Sequence, residues 1–308
     1  MDQLSAQVAA EPAVHQTDQR EAEEAPYTIA TPITLTSPAV FASPHSGRRY
    51  PAEFLKNSRL DAIGIRKSED SFIDEIFAGA PRHGAPLLMA EFPRAYVDPN
   101  REPFELDPGM FDDPLPDYVN SSSPRVAAGL GTVARVVTNG EEIYDKPIGV
   151  DDAFRRIDGC YRPYHRALRG LIDQAVDAFG VCLLVDCHSM PSIGGPMERD
   201  PGRRRVDMVL GDNHGLSCNP AITELADDTL SGMGYAVNRN NPYSGGFTTR
   251  NYGRPATGVH ALQIEINRAA YMNEATIERD AGFDALAADM ARLAEILTRI
   301  DPASLIPG

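Results

Sequence analysis

The stretch VCLLVDCHSM, residues 181–190, begins as an apolar run and ends in Asp186, Cys187, His188 and Ser189. A short apolar run of this kind is typical of a strand that is buried on both faces of a parallel sheet. Open α/β sheets form their ligand sites at the carboxyl ends of such strands. The stretch therefore predicts an α/β fold and makes His188 the first candidate metal ligand.

A second histidine occupies the same kind of position. In FASPHSG, residues 41–47, a short apolar strand is followed by Pro44, His45 and a turn-like Ser46-Gly47 pair. Strands are commonly bounded by such turn residues. If both strands belong to one parallel sheet, their carboxyl ends bring two imidazoles to the same edge.

An acidic segment, IRKSEDSFIDEIF at residues 65–77, is the third element. Its pattern predicts a helix over about residues 69–79 that is capped by Ser68 and carries Glu69 and Asp70 in its first turn. Adjacent positions of a helix differ by about 100°. The pattern therefore leaves open which of the two acids faces the sheet. The apolar positions expected to face the core are Phe72, Ile73, Ile76 and Phe77.

At this point the chain resembles the N-formylglutamate amidohydrolase family over most of residues 38–275. The resemblance rests on an ordered set of segments: SPHSG, SEDSFIDEIF, FPRAYVDPNR, GLGTVARV, CYRPYHRAL, VDCHSM, YSGGFTTRNYG and ALQIEINRAAYM. The family is similar to the zinc carboxypeptidases and aspartoacylases in its catalytic core. The resemblance implies one metal ion held by His45, His188 and an acid, with Asp70 preferred and Glu69 the alternative. Two imidazoles and a carboxylate suit Zn²⁺ with an open position for water, although another divalent metal is possible.

The segment VHALQIEIN, residues 259–267, predicts a strand with one apolar and one polar face. The apolar face carries Leu262, Ile264 and Ile266, and the polar face carries Gln263, Glu265 and Asn267. A hydrolase of this kind needs a base for its attacking water. The resemblance implies that Glu265 takes a proton from that water and passes it to the departing amine.

The segment FPRAYVDPNR supplies cationic side chains. Its Asn100-Arg101 pair resembles the substrate-carboxylate clamp of carboxypeptidase-like enzymes, and a planar guanidinium meets a carboxylate with two parallel hydrogen bonds. Arg94 is assigned the role of polarising the scissile carbonyl and stabilising its tetrahedral oxyanion. Arg250, in the glycine-containing loop YSGGFTTRNYG, is assigned to a second substrate carboxylate because glycines let such a loop fold over a ligand.

The remaining pattern predicts one α/β domain over residues 29–308, since the site residues come from both halves of the chain. We expect a central mixed, mostly parallel sheet flanked by helices on both faces, of the phosphorylase/hydrolase-like kind. Further predicted strands lie at 38–43, 85–92, 205–212 and 235–238, and further helices at 153–179, after Asn219-Pro220 and at 274–299. Residues 102–125 are expected to form an irregular excursion. Residues 1–28 contain no apolar run and are expected to be a disordered tail.

Composition excludes several classes of function. The net charge of −15 opposes binding of nucleic acid, and no apolar stretch approaches the ~20 residues of a membrane span. Four cysteines without a C-x-x-C pair suggest free thiols in a reducing compartment. The sequence contains neither H-E-x-x-H nor G-x-S-x-G. We expect a soluble, cytoplasmic protein without nucleic-acid or membrane partners, and the pattern indicates no oligomeric state.

The resulting prediction is a metal-dependent amidohydrolase that removes a formyl or other small acyl group from an acidic amino acid. N-formyl-L-glutamate is the preferred small anionic substrate, and the resemblance implies a role in histidine catabolism. The alternative is a carboxypeptidase- or aspartoacylase-like hydrolase of another N-acyl amino acid or peptide. A non-catalytic binding protein of the same fold is disfavoured because the ligands and the base are all present.

Overall fold

A seven-stranded mixed sheet forms the centre of the computed structural model, which describes residues 25–196 and 198–305. Its strands are β1 (Tyr27–Ala30), β2 (Ala39–Ser43), β3 (Leu87–Ala90), β4 (Cys182–Met190), β5 (Met208–Gly211), β6 (Val237–Arg239) and β7 (Val259–Asn267). Their spatial order is β1-β3-β2-β4-β7-β5-β6. Strands β3, β2, β4 and β7 are parallel, and β6 is parallel to β5. Strands β1 and β5 are antiparallel to β3 and β7.

Helices cover both faces of this sheet, which confirms the predicted architecture. They are α1 (Ala52–Asn57), α2 (Ile73–Ile76), α3 (Pro124–Ala127), α4 (Val150–Arg156), α5 (Arg162–Phe179), α6 (Pro220–Gly232), α7 (Phe247–Tyr252) and α8 (Phe283–Thr298). Helices α2, α6 and α8 share one apolar cluster with the sheet, and α5 shares another with its opposite face. Helix α6 begins as predicted. Asn219 precedes Pro220, the first helical residue, and its side chain accepts a hydrogen bond from the backbone N–H of Ala221.

Strands β4 and β7 form the middle of the sheet, and all nine residues of each are buried. Alternate residues face opposite sides, as the period of a strand requires. Leu262, Ile264 and Ile266 pack in the cluster beside α8, together with Cys187. Burial raises the pKa of the Cys187 thiol well above its usual value. Cys187 therefore lies in the apolar core as an unreactive thiol.

The helix predicted over residues 69–79 begins later in the structure than the prediction has it. Only Ile73–Ile76 are α-helical, and Phe72 before them has a left-handed φ of 68°. Ser68 does not cap the helix, because its Oγ accepts a hydrogen bond from the backbone of Thr138 instead. The backbone N–H of Asp70 donates to His45 O at 3.0 Å. Pairing with the segment after β2 thus outweighs the local helical preference of the acidic run.

The last helix also begins later than the predicted residue 274. Residues 272–279 form a two-stranded turn, with β8 (Met272–Asn273) paired to β9 (Glu278–Arg279). The Asn273 side chain accepts from the backbone N–H groups of Ala275 and Thr276, which competes with helix formation. One face of α8 is apolar and buried, with spacings of three and four residues: Phe283, Leu286, Met290, Leu293 and Leu297.

The helix predicted over 153–179 is continuous from Val150 to Phe179 but contains a π-helical turn at Ile157–Tyr161. A proline in an α-helix lacks an N–H and clashes with the carbonyl four residues earlier. Pro163 lies two residues after the end of the π turn. The wider turn is therefore the local adjustment to the proline.

The excursion after Arg101 is irregular, as predicted, but it has an apolar cluster of its own. The buried members are Leu106, Met110, Phe111, Val119, Val133, Val150 and Ala153. Regular structure within residues 102–125 is limited to a 3₁₀ turn at Pro108–Met110 and the start of α3. Thr132 N donates to Glu105 O at 2.8 Å, which ties the excursion to the segment that follows α3. The excursion is thereby held in place beside the site.

The predicted tail, residues 1–28, lies outside the described residues as far as residue 24, and Tyr27 and Thr28 belong to β1. In the described part of the chain, no helix combines the length and apolar character that crossing a membrane requires.

Candidate active site

Two neighbouring parallel strands, β2 and β4, carry the two histidines of the site. His45 follows β2 by two residues, and His188 lies near the end of β4. Their Nδ1 atoms are 3.1 Å apart. Asp70 places its Oδ2 3.1 Å from Nδ1 of His188 and 3.3 Å from Nδ1 of His45. The structure thus brings together the two predicted histidines and the preferred acid.

These three atoms have the spacing that a small divalent cation requires. Ligand atoms placed about 2.0–2.1 Å from a tetrahedral zinc ion are roughly 3.3 Å from one another. The observed separations of 3.1 to 3.3 Å match that value. All three side chains are buried, and two imidazoles with one carboxylate form a donor set that zinc favours. The residues present therefore fit a metal ion.

Each histidine is held from behind by a second carboxylate. His45 Nε2 lies 2.7 Å from Asp98 Oδ1, and His188 Nε2 lies 3.0 Å from Asp186 Oδ2. A proton on Nε2 leaves the Nδ1 lone pair directed toward the proposed ion, and a carboxylate partner fixes this tautomer. Sequence reasoning gave neither aspartate a role. Their positions within the motifs of the two predicted sites were the available signal.

Asp70 is oriented by groups on the other side of its carboxylate. Its Oδ1 accepts from Ser189 Oγ and from Arg268 Nη2, both at 3.1 Å. Arg268 is buried and also donates to the backbone of Lys67 at 2.9 Å. Sequence reasoning missed Arg268, although it follows Glu265 by three residues in IEINR. These contacts direct Oδ2 toward the histidines.

Glu69, the alternative ligand, lies in a different ion pair. Arg66 donates to its carboxylate at 2.9 and 2.8 Å, and Tyr50 and Ser71 donate to it as well. Its oxygens are therefore occupied outside the two-histidine cluster, and of the two candidate acids the structure brings only Asp70 to the Nδ1 atoms of the imidazoles.

The electrostatic balance of the site is negative around the histidines. Burial would lower the pKa of His188, but Asp186, Asp70 and Glu265 raise it well above its usual value. Burial would raise the pKa of Asp98, but Arg101, His45 and Arg94 hold it well below its usual range. Such a surrounding favours positive charge at the cluster.

Glu265 lies directly opposite His188 in the pairing of β7 with β4. Burial raises its pKa to about 8; Asp70 adds to the increase, whereas His188 and Arg94 oppose it. Its Oε1 accepts from Gln263 Nε2 at 2.8 Å, and Gln263 also accepts from Gly246 N at 2.8 Å. A buried carboxyl group with a pKa near neutrality is suited to proton transfer.

Arg94 and Arg101 meet at the same carboxylate oxygen. Arg94 Nε donates to Asp98 Oδ2 at 2.9 Å, and Arg101 Nη2 lies 3.6 Å from that oxygen. Arg101 is buried, and its other donors reach Leu130 O at 3.0 Å and Asn100 O at 2.9 Å. The structure therefore places both arginines beside the histidine cluster.

Asn100 lies between His188 and α7. Its Nδ2 donates to Asp186 Oδ2 at 3.5 Å beside His188, and its Oδ1 accepts from Thr248 N at 2.8 Å. A Cβ on Gly246 would lie 2.3 Å from the Asn100 amide, so only glycine permits this approach. Both ends of the amide are thus engaged within the protein, and its role as a substrate ligand stays a prediction.

Arg250 lies on α7 and not in an open loop, and its side chain is exposed. Its Nη1 donates to Gly245 O at 3.1 Å. The structure does not bring Arg250 into hydrogen-bonding contact with His45, Asp70 or His188. Its helix, α7, contacts the site residue Asn100 through Thr248 N.

Fold and site together define an α/β protein with a buried centre of two histidines and one carboxylate. The family model for N-formylglutamate amidohydrolase matches residues 37–272, and the chain belongs to that family. The predicted resemblance and the prediction of an amidohydrolase are both confirmed.

Individual relatives agree with this assignment. The N-formylglutamate deformylases of Pseudomonas putida and Pseudomonas aeruginosa are each 28% identical over 241 residues, covering 77% of this chain and 82% and 83% of theirs. The crystal structure of N-formylglutamate amidohydrolase from Ralstonia eutropha JMP134 has a TM-score of 0.82 and 36% identity, covering 91% of this chain and 99% of that one. The gene product Atu2144 of Agrobacterium tumefaciens has a TM-score of 0.65 at 20% identity and covers 91% and 98%, which supports the fold.

Proposed function

We propose that this enzyme hydrolyses the formamide bond of N-formyl-L-glutamate to L-glutamate and formate. The observation that carries the proposal is the convergence of His45, Asp70 and His188 with Glu265 opposite on the neighbouring strand. The N-formylglutamate deformylases among its relatives support the choice of substrate. The reaction would place the enzyme in histidine catabolism in the cytoplasm.

His45, Asp70 and His188 would hold one divalent cation, with zinc the best match to the donor set. Such an ion supplies Lewis acidity, which lowers the pKa of water to about 7 and polarises an amide carbonyl. Asp98 and Asp186 keep the two imidazoles in the tautomer with Nδ1 free to bind. Arg268 keeps the Asp70 carboxylate turned toward them.

Glu265 takes the proton from the attacking water and delivers it to the leaving nitrogen. It has no ion-pair partner within 4.0 Å among the described residues, and its one bonded donor is the neutral amide of Gln263. Arg94 donates to the oxyanion that forms on the formyl carbon, since it lies within electrostatic range of both Asp70 and Glu265. Glu265 thus transfers the proton, and Arg94 stabilises the developing negative charge.

Arg101 and Arg250 would bind the substrate carboxylates, as the sequence predicts. Arg101 is buried beside Arg94, which places its guanidinium near the reacting group. Asn100 contributes by anchoring the start of α7, on which Arg250 lies. A bidentate guanidinium contact orients a carboxylate as well as binding it.

The test combines metal analysis with formate release from N-formyl-L-glutamate before and after chelation. About one zinc per chain and turnover that returns on adding zinc are expected for a single open site. Metal without turnover would redirect the search to other N-acyl amino acids. Turnover by metal-free protein would contradict the metal site.

A pair of variants localises the ion. His188→Ala should lose both metal and turnover, because it removes one of three ligands. His214→Asn is the matched control, since His214 is exposed and has a φ of 57° that asparagine tolerates. Equal metal content in the two variants would contradict the assignment of His188.

A further inference from the structure

Three arginines from separate segments lie together beside the proposed site. Arg101 Nε donates to Leu130 O at 3.0 Å, and Leu130 N donates to Arg125 O at 2.8 Å. This connection brings the end of α3, which carries Arg125, against Arg101. Arg125 belongs to the excursion that the sequence left without a role.

The third arginine, Arg250, belongs to α7. Asn100 O accepts from Arg101 Nη1 at 2.9 Å and from Phe247 N at 3.4 Å, so α7 begins next to Arg101. Arg250 lies on this helix one turn further along. Arg101 is thus next to both the α3 segment and the start of α7.

These arginines have too few acidic partners. Within the described residues, neither Arg125 nor Arg250 has a carboxylate oxygen within 4.0 Å. Burial and the charges of Arg125 and Arg94 lower the pKa of Arg101 to about 9, against the opposing effect of Asp98 and Glu105. Arg125 also lowers the pKa of Arg250, after the larger effect of burial. Like charges are therefore held close enough to repel one another.

The local charge differs in sign from that of the whole chain. Arg94 is balanced by Asp98 at 2.9 Å and also faces Asp70 and Glu265. Arg101, Arg125 and Arg250 carry three positive charges, and the remaining carboxylate that faces them is Glu105. Two positive charges remain in excess, in a protein whose net charge is −15. A ligand with two negative charges would balance them.

We propose that Arg125 and Arg250 form a subsite for the side-chain carboxylate of a dicarboxylic N-acyl amino acid, while Arg101 binds its α-carboxylate. Arg125 then determines the selectivity for acidic over neutral substrates. The inference rests on the proposed function, because that function places the scissile amide at His45, Asp70 and His188.

The test compares N-formyl-L-glutamate with N-formyl-L-glutamine, which has the same shape but a neutral side chain. Arg125→Gln should raise KM for N-formyl-L-glutamate about tenfold, as expected for loss of one partly exposed charge-assisted contact. It should leave kcat, and both constants for N-formyl-L-glutamine, unchanged. Arg125→Lys should recover part of the loss, since it restores the charge without the planar fork.

Arg155→Gln is the matched control, because Arg155 is 72% exposed on α4 and pairs with Asp152 away from the cluster. It should behave as the wild type with both substrates. An equal loss by Arg125→Gln on both substrates, or no loss on either, would overturn the subsite.

Binding of glutarate separates this inference from the proposed function. Glutarate has two carboxylates and no amide, and butyrate is its counterpart with one. Calorimetry should show tighter binding of glutarate to the wild type, and Arg125→Gln should weaken it about tenfold. This result without hydrolysis of N-formyl-L-glutamate would leave the subsite standing and overturn the function. Hydrolysis of N-formyl-L-glutamate without a preference for glutarate over butyrate would support the proposed function and overturn the subsite. Absence of both results would overturn the function and the subsite.

Discussion

Replacing Glu265 by glutamine should reduce turnover strongly while making the metal-free protein more stable. The side chain is 7% exposed and lies opposite His188. Glutamine has the same shape and can accept the hydrogen bond from Gln263 Nε2, but it cannot carry the proton. Loss of a general base reduces the rate about 100- to 10,000-fold. We expect this decrease in kcat, with the metal content of the purified variant unchanged.

The gain in stability follows from the pKa of Glu265. Burial raises this pKa from 4.5 to about 8, so the folded protein binds one more proton than the unfolded chain between these values. The free energy of unfolding of the wild type therefore falls as the pH rises through this window. At 1.36 kcal/mol per pKa unit, the cost at pH 7 is about 3 kcal/mol. Glutamine does not incur it.

The assay is urea unfolding of chelated wild type and Glu265→Gln at pH 5 and pH 7, together with formate release from the zinc-loaded forms. The variant should exceed the wild type by about 3 kcal/mol at pH 7 and by under about 1 kcal/mol at pH 5. Other titrating groups are common to both proteins and cancel in the difference. Near-full activity of the variant would refute the base assignment. Equal stability at pH 7 would refute the account of the buried carboxyl group.

Two further variants probe the groups around the site. Asp98→Asn removes the carboxylate that contacts His45 Nε2 and should weaken zinc binding about 10- to 100-fold, measured by competition with a chelator. Asp112→Asn, at an exposed position, is the control. Unchanged zinc affinity in Asp98→Asn would contradict the role of Asp98 in positioning His45. Burial lowers the pKa of His165 to about 4, so the unfolded chain takes up a proton first and stability falls as the pH drops from 6.5 to 4. Denaturant titrations over this pH range should show a loss of about 3 kcal/mol in the free energy of unfolding of the wild type but not of His165→Gln. The same pH dependence of stability in both proteins would contradict the lowered pKa of His165.

Local sequence patterns were sufficient for the strands that carry the histidines. His45 and His188 each follow an apolar run, and parallel pairing of β2 with β4 brings the ends of such runs together. The alternation in β7 likewise predicted which face carries Glu265. These features repeat over a few residues, so they can be recognised without knowledge of the tertiary structure.

The acidic segment failed because its conformation depends on distant residues. Asp70 is held by His45 O, Ser189 and Arg268, which are separated from it by 25 to 198 positions in the chain. A helix from residue 69 satisfies the local pattern but makes none of these contacts. The same distance explains why Arg268 and Asp98 received no role. Their function appears only when the partners that they orient are in place.

The register between β4 and β7 links the apolar core to the chemistry of the site. Leu262, Ile264 and Ile266 fill the cluster on one face, and the pairing that buries them sets Glu265 opposite His188. Shifting β7 by one residue would turn its apolar side chains toward the site and its polar ones into the core. Each large apolar side chain gains about 1.5–3 kcal/mol on burial, so the shifted pairing is strongly disfavoured. The core therefore determines which residue faces His188, and the proposed base is positioned by contacts that take no part in catalysis.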